Sequence, residues 1–319
     1  MLALVMQKTG ETVELLRQAY ILRERVVNVK GYEIKLTNLD KAMWPEGLTK
    51  AHLIDYYNHI APFILPYLYN RPIVMKRYPD GIEGEQFYQK ECPDYAPAWI
   101  KRYPVEHSEK VVNYIICNDI QTLTWMANCG CIEVHAWLAR IESLESPDLA
   151  VMDLDPAEGV PFRDTLEVAL LIRSALEEFR LAGFPKTSGA GGLHLFIPIK
   201  PAYSWQEVTA AMKFVAEAAA GVYPDKATIE RKVDKRAGKV YLDYLQNGRG
   251  KTMAFQYGLR PLPGAPVSTP LDWREVERGD IHPQDFNMNT IFPRLKSLGD
   301  IYIEVLKKKQ TLDKLLKMV

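Results

Sequence analysis

Apolar and polar positions alternate with period two over Val26–Val29 and again over Tyr32–Thr37, either side of Lys30-Gly31. This predicts a β-hairpin. Ahead of it, residues 11–25 read as a short amphipathic helix appended to the main domain. Thr49 can cap a helix whose apolar face is Leu53, Tyr56, Tyr57 and Ile60, with Pro62 and Pro66 expected to mark its end. Residues 71–105, rich in Pro, Gly, Tyr and Lys, suggest short strands and exposed loops. Asn118 with Gln121 reads as a capping box for a helix over 119–128, and Gly130 comes after its end.

Patterning is strongest in the second half. Leu149–Asp155 predicts a strand, and Asp164 with Glu167 is expected to cap a helix bearing Leu166, Leu170 and Phe179 and stopped by Gly183. A glycine-rich turn, Ser188–Gly192, leads into a strand over Leu193–Ile199. Ser204 with Glu207 caps a helix ending at Gly221, Val240–Leu245 is a further strand, and Leu262–Pro270 is a proline-rich loop. A basic helix near residues 299–317 closes the chain. Strands and helices mix without regular βαβ repetition, which favours an α+β fold over a doubly wound sheet. The expected organisation is an N-terminal extension over 1–25, a central domain over 26–298 with room for two subdomains meeting near 140–150, and the basic helix over 299–319.

Composition narrows the class. The 319 residues allow one large domain or two closely joined ones, and 47% hydrophobic with 25% charged residues excludes long disorder and fibrous repeats. Forty basic against forty acidic residues argues mildly against a nucleic-acid partner. The distribution weakens that objection. Glu142 to Glu178 holds ten acids and two bases, and Lys226 to Arg260 holds nine bases and three acids. Such segregation suits an acidic, cation-binding pocket beside a basic wall, or simply clustered solvated faces. Cys92, Cys117, Cys129 and Cys131 are too sparse for a disulfide scaffold. A zinc site from Cys129, Cys131 and His135 lacks a fourth ligand, so reduced thiols are the preferred reading. No signal peptide or membrane-length span is present, and a cytoplasmic protein without a membrane partner is expected.

Three places could carry chemistry. Asp153 and Asp155, two apart on a strand, face the same side about 6.6 Å apart along the backbone, a spacing suited to Mg²⁺ or Mn²⁺. Aspartates at strand ends are common, so the pair alone is also a strand running into a polar loop. Ser188-Gly189-Ala190-Gly191-Gly192-Leu193-His194 could let backbone N–H groups approach a phosphate, or be a plain glycine turn. Asp243, among apolar strand residues, needs a metal or a basic partner, and Arg231, Arg236, Arg249 and Arg260 are at hand.

In that order, DLD, SGxxGxH and a strand Asp resemble the three motifs of the archaeo-eukaryotic primase superfamily. The closer resemblance of the two is to the polymerase domain of bacterial ligase D, used in non-homologous end joining. LTNLDKAMWPEGLTKAHLIDYY, RPIVMKRYPDGIEGEQFYQK, IEVHAW, MDLDP, TSGAGGLHLFIPI, VYLDYLQNGRGKT and YGLRPLPGAPVSTPL carry the similarity over roughly residues 26–275. Seven strings in the right order are far more specific than any one of them.

The resemblance implies a primase-like core of mixed and antiparallel sheets flanked by helices. It implies a template-dependent nucleotidyltransferase, favouring ribonucleotides, that extends 3′ ends at gaps or breaks. Asp153, Asp155 and Asp243 would hold two divalent ions, Mn²⁺ or Mg²⁺. Ser188 and His194 would contact the triphosphate, with His135 beside the nucleotide and Lys76, Arg236 and Arg260 offsetting phosphate charge. Lys41 and Lys50 would grip a DNA 5′-phosphate, and Phe87 and Tyr88 would stack on the template. Implied partners are gapped or overhanging DNA, NTP or dNTP, and separate protein factors of the Ku and DNA ligase kinds.

Two positions depart from that pattern. The lysine many relatives carry inside the glycine loop is missing, which implies weaker nucleotide binding or compensation by another base. Tyr88 stands where a second phenylalanine is usual, which should preserve stacking. A KxDG ligase motif is absent, so the chain is not expected to seal nicks itself. The alternatives are a DxD phosphatase of the haloacid-dehalogenase type, disfavoured by Pro156, and a non-catalytic DNA-end-binding module, disfavoured by the intact Asp triad.

Overall fold

The computed structural model describes residues 24–236 and 238–319. The helix expected over 11–25 lies outside them, except for Glu24 and Arg25, which begin a strand. The chain divides into two units. Among the described residues, one comprises those up to Tyr69 with Ile73–His135 and Pro261–Ala265; the other comprises Asn70–Pro72, Ala136–Arg260 and Pro266–Val319.

The first unit opens with the expected hairpin. β1 (Glu24–Val29) pairs antiparallel with β2 (Tyr32–Thr37), and Val29 faces Tyr32. Lys30 and Gly31 both have positive φ, 53° and 89°, as a tight two-residue hairpin turn requires. The helix α1 spans Lys50–Leu68 and does not stop at its prolines. Each interior proline costs about 3 kcal/mol. Ile60, Ile64, Tyr67 and Leu68 are fully buried beyond or beside them, and at about 1.5–3 kcal/mol each their burial outweighs that cost.

Next come β3 (Pro72–Arg77), β4 (Phe87–Gln89), β5 (Arg102–Glu106), β6 (Val111–Ile116), the helix α2 (Ile120–Asn128) and β7 (Cys131–Trp137). The sheet order is β7-β3-β6-β5, with β4 against β3. The N-cap of α2 is Asp119, which accepts from Thr122 N, rather than Asn118. Gly130 comes after the helix with φ 75°.

In the second unit, β8 (Leu149–Pro156), α3 (Phe162–Glu178), β9 (Phe184–Thr187), β10 (Leu193–Pro198), α4 (Trp205–Val222), β11 (Ala227–Thr228) and β12 (Val240–Asp243) build a five-stranded sheet ordered β11-β12-β8-β10-β9. Leu154 is registered against Leu242 on one side and Leu193 on the other. These three join a core with Leu166 and Ile172 of α3 and Val208 and Met212 of α4. One sheet face is therefore sealed by helices, and alternation sends the residues between these leucines to the other face.

Three local expectations change. α3 starts after Pro161, and Asp164 and Glu167 bind Lys226 Nζ at 2.8 and 2.5 Å instead of capping. β12 ends at Asp243, because Asp243 Oδ1 accepts from Leu245 N at 2.9 Å and turns the chain into a 3₁₀ segment. The closing segment forms two short helices, Glu304–Lys307 and Asp313–Leu316, rather than one basic helix. Gln310 lies between them. Its side chain bonds Ala182 N, Ala182 O and Pro198 O, which holds this stretch out of helical geometry.

Candidate active site

Register in the second unit's sheet brings the scattered motif residues together. Asp153 lies opposite Asp243 on β12 and opposite His194 on β10, and His194 lies opposite Lys186 on β9. Asp243, Asp153, His194 and Lys186 thus form one row across four strands, on the face away from the helices. Directly opposite residues stand about 4.5–5.5 Å apart. Asp155, two residues along β8, shares the face at the strand's exposed end.

Charge in this row is unbalanced. Asp153 is pushed well up from the ordinary carboxylate range by burial and then by Asp155 and Asp243. Asp155 is raised by the protein packed about it and then by Asp243. Asp153 Oδ1 is enclosed and accepts no hydrogen bond, although His194 Nε2 stands 3.3 Å away. Asp243 turns Oδ1 to Leu245 N and Oδ2 to Gln246 Nε2. Among the described residues no three His, Cys, Asp or Glu side chains are already gathered as a coordination set. The donor chemistry nevertheless fits a hard divalent cation: clustered carboxylate oxygens, one of them orphaned, that repel one another without a positive charge between them.

The glycine turn is built for close approach. Gly189 has φ +76°, and a Cβ there would lie 2.5 Å from Arg260 Cγ and 2.9 Å from Ser268 N. A Cβ at Gly192 would meet Leu154 O at 2.3 Å. The glycines therefore let the turn lie against β8 and Arg260. Ser188 Oγ accepts from Ala190 N and Gly192 N, at 3.1 and 3.0 Å. Those two amides are thus turned inward, contrary to a loop whose every N–H faces a phosphate. Arg236 stacks over the Tyr241 ring, 3.5 Å from its centroid, and Tyr241 is registered against Asp155. Arg236 and Arg260 both pull the Asp155 carboxyl downward.

The first unit holds two further clusters. On β7, Glu133 and His135 share a face, two residues apart. The buried Glu133 carboxylate binds Lys76 Nζ at 2.7 Å, Tyr78 Oη at 3.0 Å and His135 Nε2 at 3.2 Å. Burial alone would lower the Lys76 ammonium, and Glu133 together with Tyr78 more than reverses that. Tyr88, registered against Lys76, meets His135 edge-on with ring centroids 6.1 Å apart. Phe87 and Tyr88 are exposed, 49% and 60%.

Lys41 and Lys50 line a separate cavity of about 370 Å³, with Arg77, Tyr95, Trp125 and Asn128 among its walls. Lys41 Nζ bonds Asp80 and Pro79 O, at 2.8 and 3.0 Å. Lys50 is buried beside Thr37 Oγ1, and burial brings its ammonium down to about 8. In the same region burial pushes the Cys129 thiol up to about 11, the reverse of what a zinc thiolate requires.

Sequence reasoning missed Lys186, Glu133, Ser268 and Arg77. Glu133 had a usable signal, a carboxylate two before His135 in an otherwise apolar strand. Lys186 had one too, a lone ammonium in the strand leading to Ser188.

Comparison with known proteins adds to this geometry. Residues 49–302 match the family model described as "LigD, primase-polymerase domain". The chain is 32% identical over 280 residues to the bifunctional non-homologous end joining protein LigD of Bacillus subtilis, covering 87% of this chain and 45% of that protein. It is 33% identical over 277 residues to the multifunctional LigD of Mycolicibacterium smegmatis, covering 86% and 36%. The chain thus spans less than half the length of these relatives. Its fold is similar to the polymerase domain of Mycobacterium tuberculosis ligase D solved in complex with DNA, with TM-score 0.82, 31% identity, and coverage of 86% of this chain and 99% of that one. The observed mixture of helices with mainly antiparallel sheets is the α+β, primase-like architecture expected. No helix among the described residues is long and apolar enough to cross a membrane.

Proposed function

We propose, for a chain that belongs to the LigD primase-polymerase family, that it is a template-dependent nucleotidyltransferase adding nucleotides, preferentially ribonucleotides, to 3′ ends at DNA gaps and breaks. The observation that carries this is the row Asp243, Asp153, His194 across three adjacent strands, with Asp155 on the same face. Asp153, Asp155 and Asp243 would hold divalent ions, Mn²⁺ or Mg²⁺. Bound there, such ions supply charge neutralisation for a triphosphate and a lower pKa for the attacking 3′-hydroxyl.

The chain's own residues do the rest. His194 and the Ser188 hydroxyl offer donors to the triphosphate, and Arg236 and Arg260 lie close enough to the carboxylates to act on them electrostatically. Lys76 and His135, fixed by Glu133, form a second donor group for the nucleotide. Lys41 and Lys50, in their own cavity, would bind the 5′-phosphate on the far side of a gap, and Phe87 with Tyr88 would stack on template bases. The mycobacterial structure holding DNA supports the nucleic-acid part of this reading. A Ku-like protein and a DNA ligase are proposed partners on the strength of the relatives' end-joining names.

Primer extension on a gapped duplex tests it, with and without a 5′-phosphate, comparing NTPs with dNTPs and Mn²⁺ with Mg²⁺. Templated addition that needs a divalent ion, is stimulated by the 5′-phosphate and is faster with NTPs is the expected result. Absence of templated addition under every combination would overturn it.

A further inference from the structure

The row of site residues does not end at His194. Its fourth member, Lys186, is wholly buried, and the nucleotidyl-transfer reading leaves it without a task. Its Nζ lies 2.9 Å from His194 Nδ1 and also bonds Ser268 Oγ. Ser268 donates its single hydroxyl proton to Thr187 O at 2.8 Å. Ser268 Oγ is therefore the acceptor in its bond with Lys186, and the amine is the donor. As an ammonium, which has three donors and no acceptor, the group gives one N–H to Ser268 and another to His194 Nδ1. An imidazole whose Nδ1 accepts carries its proton on Nε2 when neutral. Nε2 is the nitrogen on the Asp153 side, 3.3 Å from Oδ1.

We propose that Lys186 is a positioning residue that locks His194 in the tautomer with Nε2–H, so that His194 presents a hydrogen-bond donor to the triphosphate without having to be protonated. The lock is rigid because each end is tied to backbone: Ser268 N donates to Gly258 O, and Thr187 N to Thr269 O. Burial and the neighbouring Arg260 lower the Lys186 ammonium well below its usual range. The Asp153 carboxylate pulls it back up, and the ammonium, having no lone pair, is the form that enforces the tautomer. Phe196, whose ring centroid is 5.5 Å from the amine, closes the remaining side. This inference rests on the assignment of His194 to the nucleotide, and its test separates the two.

In protein labelled with ¹⁵N at its six histidines, with the His194 signals assigned from His194→Gln, the unliganded wild type should show a protonated Nε2 and an unprotonated Nδ1. A protonated Nδ1 with bare Nε2 would overturn the proposal directly, whatever the enzyme does. Lys186→Met should then weaken binding of a non-hydrolysable NTP with Mn²⁺ by roughly tenfold, the scale of a buried hydrogen bond to a charged group, with DNA-end affinity unchanged. The same substitution in a His194→Gln background should add almost nothing, because the lysine acts through the histidine. An equal loss in both backgrounds would contradict the proposal. Ser268→Ala, a gentler change, should give a smaller loss of the same kind, and an unchanged NTP affinity in both single variants would also contradict it. If His194→Gln itself leaves NTP binding intact while the tautomer is as stated, the nucleotide assignment fails and the tautomer lock stands.

Discussion

Two buried carboxylate centres in this protein are built in opposite ways. Glu133 is surrounded by donors: Lys76, Tyr78 and His135 all reach it, and the Lys76 ammonium is held charged by it. Around Asp153 the carboxylates outweigh the bases, Lys186 and Arg260. Asp155 and Asp243 push it up, and one of its oxygens is enclosed without a hydrogen bond. A carboxylate compensated from within the chain stabilises the fold and orients its neighbours. One left uncompensated costs stability and is retained where something outside the chain supplies the missing positive charge. Glu133 is thus scaffold for His135 and Lys76, whereas the Asp153 row carries the charge imbalance that the proposed cations would relieve.

The largest expected effect comes from that contrast. Asp155→Ala should lower nucleotide addition by about a thousandfold or more, the several kcal/mol that metal-held transition-state charge represents. Duplex binding, measured by fluorescence anisotropy, should barely change. Extension at a normal rate would mean that the row is not the cation receptor.

Next in size is the lysine cavity, which gathers Lys41, Lys50 and Arg77, with Asp80 paired to Lys41. Replacing Lys41 and Lys50 together with Ala should remove the preference for a 5′-phosphorylated gap, a change of about tenfold to a hundredfold for lost charge-assisted bonds. The pH sign is set by burial. Lys50 loses its proton around pH 8, well below the ordinary lysine value of 10.5. The preference should therefore be full near pH 7 and fade toward pH 9, and Lys50→Arg, which stays charged, should flatten the profile. Binding competition between phosphorylated and unphosphorylated gaps across that range checks it. A smaller effect is expected from Phe87→Ala and Tyr88→Ala, each weakening single-stranded template binding by about 1–3 kcal/mol, as titration with a fluorescent overhang would report.

Much of this was legible in the sequence, for definable reasons. Period-two alternation, Lys30-Gly31 and the Ser204/Glu207 box are local signals, and the elements they mark form where they predict. Long-range packing overrode the local signal at Pro62 and Pro66, where buried aromatic and aliphatic side chains carry α1 onward. Competition between adjacent caps moved the start of α2 from Asn118 to Asp119. Asp153 and Asp155 could be paired from spacing alone, since a strand fixes their common face. Asp243 and His194 could join them only through strand register, which no local pattern encodes; there the family resemblance, not the periodicity, named the residues that the register aligns. Lys186 and Glu133 escaped notice because their importance lies in a partner across the sheet or along the strand, not in a motif.

The two centres are separated most directly by thermal melts of wild type, Asp153→Asn and Glu133→Gln, each in EDTA and in Mn²⁺ at neutral pH. Each change removes one charge with little change of shape. In EDTA, Asp153→Asn should melt above wild type, because a repelled charge is gone, and Glu133→Gln should melt below it, because Lys76 loses its counter-charge. Mn²⁺ should raise the melting temperature of wild type and of Glu133→Gln, but far less that of Asp153→Asn. If Asp153→Asn instead melts below wild type in EDTA and still responds fully to Mn²⁺, the carboxylate row is already satisfied from within the chain and is not a cation receptor.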